Sequence, residues 1–199
     1  MKKVLLFLSR GFEEVEAAAF IDVFGWTHTT EGVEPVDLVV AGLHKEIKAA
    51  HSLVVKPQHL FEELNLTEFS AFALPGGYHD RGFNEAYSQQ VIEAIRTIYN
   101  NGGVIATVCV AAKPVAKAGL LRGKRATTYP HDDGIHVKYL QDYGAIVVED
   151  DVVVSDRIIT STGPATAFRV AFKLLEMLNG RKDVGRVKRA MMFNSTSES

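Results

Sequence analysis

The chain holds one cysteine, Cys109, and its setting invites chemistry. It directly follows the apolar run Val104–Val108 and directly precedes a stretch rich in small residues, from Val110 to Ala118. The run reads as a buried central strand and the stretch as a helix. A thiol on a sharp strand-to-helix turn is lifted out of the sheet, close to unpaired helix N–H groups. Those donors and the helix dipole lower a thiol pKa and favour the nucleophilic thiolate. The competing reading is a buried structural cysteine, which is common. Position alone leaves the two level.

Two further strand ends aim at the same edge. The run Val4–Leu8 is followed by Ser9, Arg10, Gly11, Phe12 and then by Glu13, Glu14 and Glu16. One of these carboxylates can approach the thiol, while others serve the dipole of the helix they open. The run Ala71–Leu74 ends at Pro75-Gly76-Gly77. Bare glycine backbone can turn N–H groups toward a reacting oxygen, as in an oxyanion hole, or can simply make a tight turn. A thiol, carboxylates and free backbone donors at three strand ends form a constellation that none of them makes alone.

Other chemistries fail on the sequence. A lone cysteine excludes an intramolecular disulfide, a multi-cysteine zinc site and a CxxC redox pair. No G-x-G-x-x-G follows a strand. The segment Gly119–Lys124 has three residues between its glycines, where a phosphate loop needs four. H-E-x-x-H and G-x-S-x-G are absent. His131, Asp132, Asp133 and His136 suggest a metal site, but the two histidines are five apart and do not share a helix face. They read as an exposed turn opening a helix.

The elements that must position these residues alternate. Helices are expected over Glu13 to Trp26, Pro57 to Leu64, Glu85 to Tyr99, Val110 to Ala118, His136 to Asp142 and Pro164 to Leu178. Strands are expected at Val4–Leu8, Val36–Ala41, Leu53–Lys56, Ala71–Leu74, Val104–Val108, Arg125–Thr128 and Ile146–Val148. A hairpin is expected from Val152–Ser155 and Ile158–Ser161 about Asp156-Arg157. Alternation of this kind implies βαβ units and a mostly parallel sheet covered on both faces. After Gly180, the basic residues Arg181, Lys182, Arg186, Lys188 and Arg189 form either a charged patch or the outer side of a helix docked through Val184, Val187 and Met191. Asn194–Ser199 reads as disordered.

With 199 residues, 47% hydrophobic and a net charge of −2, the chain can bury one sizeable core. The charge balance argues against nucleic acid or an anionic membrane as partner. The run Val4–Leu8 is too short for a secretory core or a membrane span, so a soluble, cytoplasmic protein is expected.

At this point the sequence resembles the DJ-1/PfpI superfamily, also written ThiJ/PfpI, and within it the DJ-1 branch. The resemblance is carried by Gly11-Phe12-Glu13-Glu14-Val15-Glu16 with Asp22, by Leu74-Pro75-Gly76-Gly77 and by Ala106-Thr107-Val108-Cys109. It continues through Gly123-Lys124-Arg125-Ala126-Thr127-Thr128-Tyr129-Pro130, Thr162-Gly163-Pro164-Ala165-Thr166-Ala167-Phe168 and Leu175-Glu176-Met177-Leu178-Asn179-Gly180. It implies one domain over residues 1–180, a flavodoxin-like α/β three-layer sandwich with a doubly wound, mostly parallel sheet, and a homodimer. It implies that Cys109 is the elbow nucleophile, that Glu16 is a protonated carboxyl donating a hydrogen bond to its thiolate, and that Gly77 and Val110 supply the oxyanion N–H groups. A shared proton avoids two adjacent negative charges.

The departures bear on activity. Relatives resembling PfpI peptidases carry His after the cysteine; Val110 stands there and counts against a peptidase. Many DJ-1 relatives carry His where this chain has Tyr129, a poor base at neutral pH. His131, two residues later, is the secondary candidate for that role, and His51 aligns near where some relatives place a cationic residue close to the cysteine pocket. The resemblance implies a cofactor-free enzyme for small aldehydes or glycated groups, glyoxalase- or deglycase-like, with no metal. The alternative it leaves is an oxidative-stress sensor or chaperone working through Cys109 sulfinate.

Overall fold

A computed structural model describes residues 1–193; the stretch 194–199, expected to be disordered, lies outside the described residues. In chain order the elements are β1 (Lys2–Leu8), α1 (Glu14–Thr27), β2 (Val36–Gly42), β3 (Ile47–Lys48), β4 (Val54–Val55), β5 (His59–Leu60) and β6 (Ala71–Leu74). Then follow α2 (Gln89–Asn100), β7 (Val104–Thr107), α3 (Ala112–Lys117), β8 (Arg125–Ala126), α4 (Ile135–Asp142) and β9 (Ile146–Val147). The chain closes with β10 (Val152–Ser155), β11 (Ile158–Ser161), α5 (Ala167–Asn179) and α6 (Arg181–Ala190).

Seven strands form the main sheet in the order β10-β11-β7-β6-β1-β2-β5. All neighbours run parallel except β10, which pairs antiparallel with β11 at the edge. The chain moves outward from β1 to β2, then returns across it to β6 and on to β7. The order therefore reverses between β1 and β6, and in doubly wound sheets ligands bind outside the carboxyl ends at that reversal.

Strand alternation distributes the core. Val4, Leu6 and Leu8 of β1 face one layer with α1, α5 and α6, while Leu5 and Phe7 face the other with α2 and α3. Both faces are apolar, which is what a fully covered parallel sheet requires. The resulting three-layer sandwich is the flavodoxin-like architecture that the family resemblance implies.

Three local expectations change. The segment from Pro57 holds β5 and a 3₁₀ turn, Phe61–Glu63, in place of a helix. Its backbone extends the sheet, with Ala41 paired to His59. The helix expected from Glu85 breaks at Ser88, whose extended backbone separates a 3₁₀ turn, Phe83–Tyr87, from α2. After Cys109 the chain makes a 3₁₀ turn, Cys109–Ala111, before α3 starts. Val184 and Val187 of α6 are buried against the α1–α5 layer.

Candidate active site

Cys109 has φ +59, a left-handed conformation rare outside glycine. It carries strain of order 1–3 kcal/mol that the surroundings must hold in place. Three contacts hold it. Val108 N–H donates to Leu74 O (3.2 Å), Ala111 N–H donates to Val108 O (3.1 Å), and Thr128 Oγ1 donates to Cys109 O (2.9 Å). These tie the elbow to β6, to its own turn and to the loop after β8.

The loops after β1 and β6 are zipped together beside it. Glu13 N–H donates to Gly76 O (2.9 Å), Tyr78 N–H donates to Gly11 O (2.9 Å), and Phe12 and Gly77 form an antiparallel bridge. Both glycines are required by close approach. A Cβ on Gly76 would lie 2.9 Å from Cys109 Cβ and 3.0 Å from Glu16 Oε2, and one on Gly77 would collide with Gly11 O. The absence of these side chains lets the first turn of α1 reach the thiol.

Glu16 is thereby enclosed completely. Its Oε2 accepts from Gly76 N–H at 2.5 Å. Its Oε1 has no hydrogen-bond partner among the described residues. Burial raises its pKa from 4.5 to about 8, opposed by the Gly76 N–H and assisted by the charge on Glu13. The shift favours the protonated carboxyl at neutral pH. Burial also pushes the Cys109 thiol up, and a charge on Glu16 pushes it further, while the Val110 N–H pulls it down. Burial therefore favours the neutral form of both groups, and the thiol, expected from its strand-to-helix position to be lowered, is raised instead.

Cys109 opens on a cavity of about 460 Å³. Glu13, Gly77 and Tyr78 line it from the β1 and β6 loops, Val110 from the elbow, and Tyr129 from the loop after β8. Of the residues expected from sequence, Cys109, Gly77, Val110 and Tyr129 line this cavity, and Glu16 lies directly behind the thiol. His131 does not line it; its ring packs on Tyr129 at 5.2 Å. His51 also stands outside, with Nδ1 2.9 Å from Glu14 Oε2 and 3.6 Å from Glu13 Oε1. Among the described residues these three side chains come together as a metal ion's ligands might. The His51 backbone N–H also donates to Glu14 Oε1 at 2.7 Å, so hydrogen bonding between His51 and Glu14 accounts for the group.

Two further histidines line the cavity: His79, which the sequence did not single out, and His136, which it read as part of an exposed turn. His79 comes from the loop after β6, and His136 from the first turn of α4. His136 is 6% exposed, which corrects the exposed-turn reading. Asp132 holds its Nε2 at 3.2 Å. Burial lowers the pKa of both; for His79 it falls to about 4, with the charge of Lys113 as the second cause. The sequence signal was faint, since the pair arises from segments more than fifty residues apart.

Comparison with known proteins identifies the family and the fold. The DJ-1/PfpI family model matches residues 2–177. Protein DJ-1alpha of Drosophila melanogaster is 34% identical over 96% of this chain and 84% of its own. The glutathione-independent glyoxalase DJR-1.2 of Caenorhabditis elegans is 29% identical over 73% of this chain and 75% of its own. The crystal structure of Drosophila melanogaster DJ-1beta superposes with a TM-score of 0.83 at 29% identity, covering 97% of this chain and 98% of the other. The chain belongs to the DJ-1/PfpI family.

The raised Glu16 pKa has a consequence for stability. Between about pH 4.5 and 8 the folded protein keeps a proton that the unfolded chain has released. That contribution is complete below pH 4.5 and is lost as pH rises toward 8, with a slope of up to about 1.4 kcal/mol per pH unit. Glu16→Gln removes this titration. Urea denaturation across the interval is expected to show the wild type losing stability relative to Glu16→Gln as pH rises; parallel curves would show Glu16 to be ionised throughout.

Proposed function

We propose that this chain is a cofactor-free cysteine enzyme for small reactive carbonyls, of the glyoxalase or deglycase kind. The observation that carries the reading is the fully buried Glu16, fixed through one oxygen by Gly76 and set against the chain's single thiol, while its other oxygen has no partner among the described residues. An unsatisfied buried oxygen is costly to fold, and a carboxyl used to exchange a proton with a neighbouring group explains its retention. The C. elegans relative's name, a glutathione-independent glyoxalase, supports the same class.

With methylglyoxal the steps balance as follows. The thiol proton stays within the Glu16–Cys109 pair as sulfur attacks the aldehyde carbon. A C–S bond forms, and the carbonyl oxygen, taking negative charge, is received by the Gly77 and Val110 N–H groups. That oxygen takes the proton held by Glu16 to give a hemithioacetal, which leaves Glu16 as a carboxylate. Glu16 then takes the proton from the sulfur-bearing carbon and returns it to the adjacent carbon, while the hydroxyl proton passes from the first oxygen to the second, giving a lactoyl thioester. Water hydrolyses the thioester to lactate and frees the thiol. Tyr129, in the position where DJ-1 relatives carry His, is a weak base here, so turnover is slow.

The chain is further proposed to work as a homodimer. Helix α1 buries Ala17, Phe20, Val23 and Phe24 inward, yet leaves Val15, Ile21 and Trp26 exposed on its outer side. A helix apolar all round is built to be covered on both sides. Among the described residues no helix is long and apolar enough to cross a membrane.

Lactate formed from methylglyoxal tests the chemistry. The wild type is expected to produce it, Cys109→Ser to fall to background, and Glu16→Ala to lose about a hundredfold or more. Wild-type turnover no faster than that of Cys109→Ser would sink the enzyme reading. Sedimentation equilibrium tests the assembly: a dimer is expected, dissociated by Trp26→Glu, and a monomeric wild type would contradict it.

A further inference from the structure

One buried charge takes no part in the reaction above. Lys113, in the first turn of α3, is 8% exposed. Among the described residues no carboxylate pairs with it, and burial is the one cause acting on its ionisation, in the direction that disfavours the cation. Burying an ammonium without a counter-ion is expensive, so its position calls for a reason.

Its neighbours supply one. Lys113 Nζ lies 3.3 Å from His136 Nδ1 and 3.5 Å from His79 Nε2, over the Tyr139 ring at 4.9 Å. An ammonium donates and cannot accept. His79 Nε2 also lies 3.1 Å from the Tyr87 hydroxyl, which can donate to it as well; with both of those ring nitrogens accepting, each neutral imidazole carries its proton on the opposite nitrogen. That leaves His79 Nδ1 and His136 Nε2 as N–H donors. The two rings stack at 6.1 Å with 16° between planes, and both line the Cys109 cavity. Lys113 thus turns a pair of potential bases into a pair of fixed donors backed by a positive charge.

Glu13, Asp80 and Asp132 also line the cavity, the last two beside the histidines, so an anion is accepted only where it takes those N–H donors directly. Asp132 already takes a bond from His136 Nε2 but is two-thirds exposed, so an incoming group can displace it. His79 Nδ1 has no partner among the described hydrogen bonds.

We propose that His79 and His136, held as donors by Lys113, form the recognition arm of the cavity for a small carboxylate. The carboxylate is either the one the reaction creates or one that an aldehyde substrate already carries. Lys113 is a positioning residue, and the arm deepens the carbonyl-enzyme reading, resting on Cys109 as the reacting thiol.

Two measurements test the arm on the wild type, Lys113→Met and His79→Phe. The first is the ratio of Cys109 alkylation rates with iodoacetate and with its neutral counterpart iodoacetamide. Both reagents need the thiolate, so a changed thiol pKa cancels in the ratio. The ratio is expected to fall about tenfold in each variant, the worth of one charge-assisted hydrogen bond. The second is a titration with sodium lactate followed by NMR of ¹⁵N-labelled histidines, expected to shift the His79 and His136 signals in the wild type and not in Lys113→Met. A lactate shift assigns the arm to product; a changed ratio without it assigns the arm to an acidic substrate. Removing a buried, unpaired charge should leave the melting temperature equal or higher. An unchanged ratio in both variants together with no lactate shift overturns the proposal, as does a Lys113→Met protein that melts lower with its ratio intact, the mark of a purely structural lysine. The lactate titration involves no thiol chemistry, so it remains decisive even if methylglyoxal is not turned over.

Discussion

A low-dielectric pocket at the sheet's carboxyl edge has room for one negative charge and holds two acids. Cys109 and Glu16 meet there, and the architecture around them follows from keeping them together. The strand order reverses between β1 and β6, which opens the crevice. The elbow's left-handed backbone points the sulfur into it. Gly76 and Gly77 remove the side chains that would otherwise separate the first turn of α1 from the thiol. The burial raises both pKa values and so disfavours a second negative charge beside the first.

This arrangement opposes stability. A strained elbow, an unsatisfied carboxyl oxygen on Glu16 and an unpaired ammonium on Lys113 each disfavour the folded state. The apolar layers on both faces of the sheet offset them, with Phe7, Phe20, Phe24 and Phe72 among the largest fully buried side chains. Sites that break local rules in this way are where function concentrates. In this cavity the broken rules lie in two places, the thiol–carboxyl pair and the lysine–histidine cluster, at opposite sides of one opening.

The first of these was legible in the sequence and the second was not. A parallel strand shows as a short apolar run, and its carboxyl end as the residues where the run stops. Cys109, Gly77 and the glutamates of α1 could be placed at one edge on that ground, and the spacing of the family motifs singled out Glu16 and Val110. His79, Lys113 and His136 stand on three separate segments; His136 drew notice only within a metal-like cluster read as an exposed turn, and the other two stand in unremarkable local contexts. Only the packing of α3 and α4 beside the β6 loop joins them. The misread stretches have the same origin. The β5 segment is two residues long and gains its strand character from pairing with β2, and Ser88 interrupts a helical pattern through backbone conformation that hydrophobic spacing does not encode.

The most direct test of the account is the pH midpoint of Cys109 alkylation by iodoacetamide in the wild type and in Glu16→Gln. If Glu16 is a protonated donor to the thiolate, the amide is a weaker donor and the midpoint moves up. If Glu16 is an ionised neighbour that repels the thiolate, removing its charge moves the midpoint down, and the account of a shared single charge is contradicted.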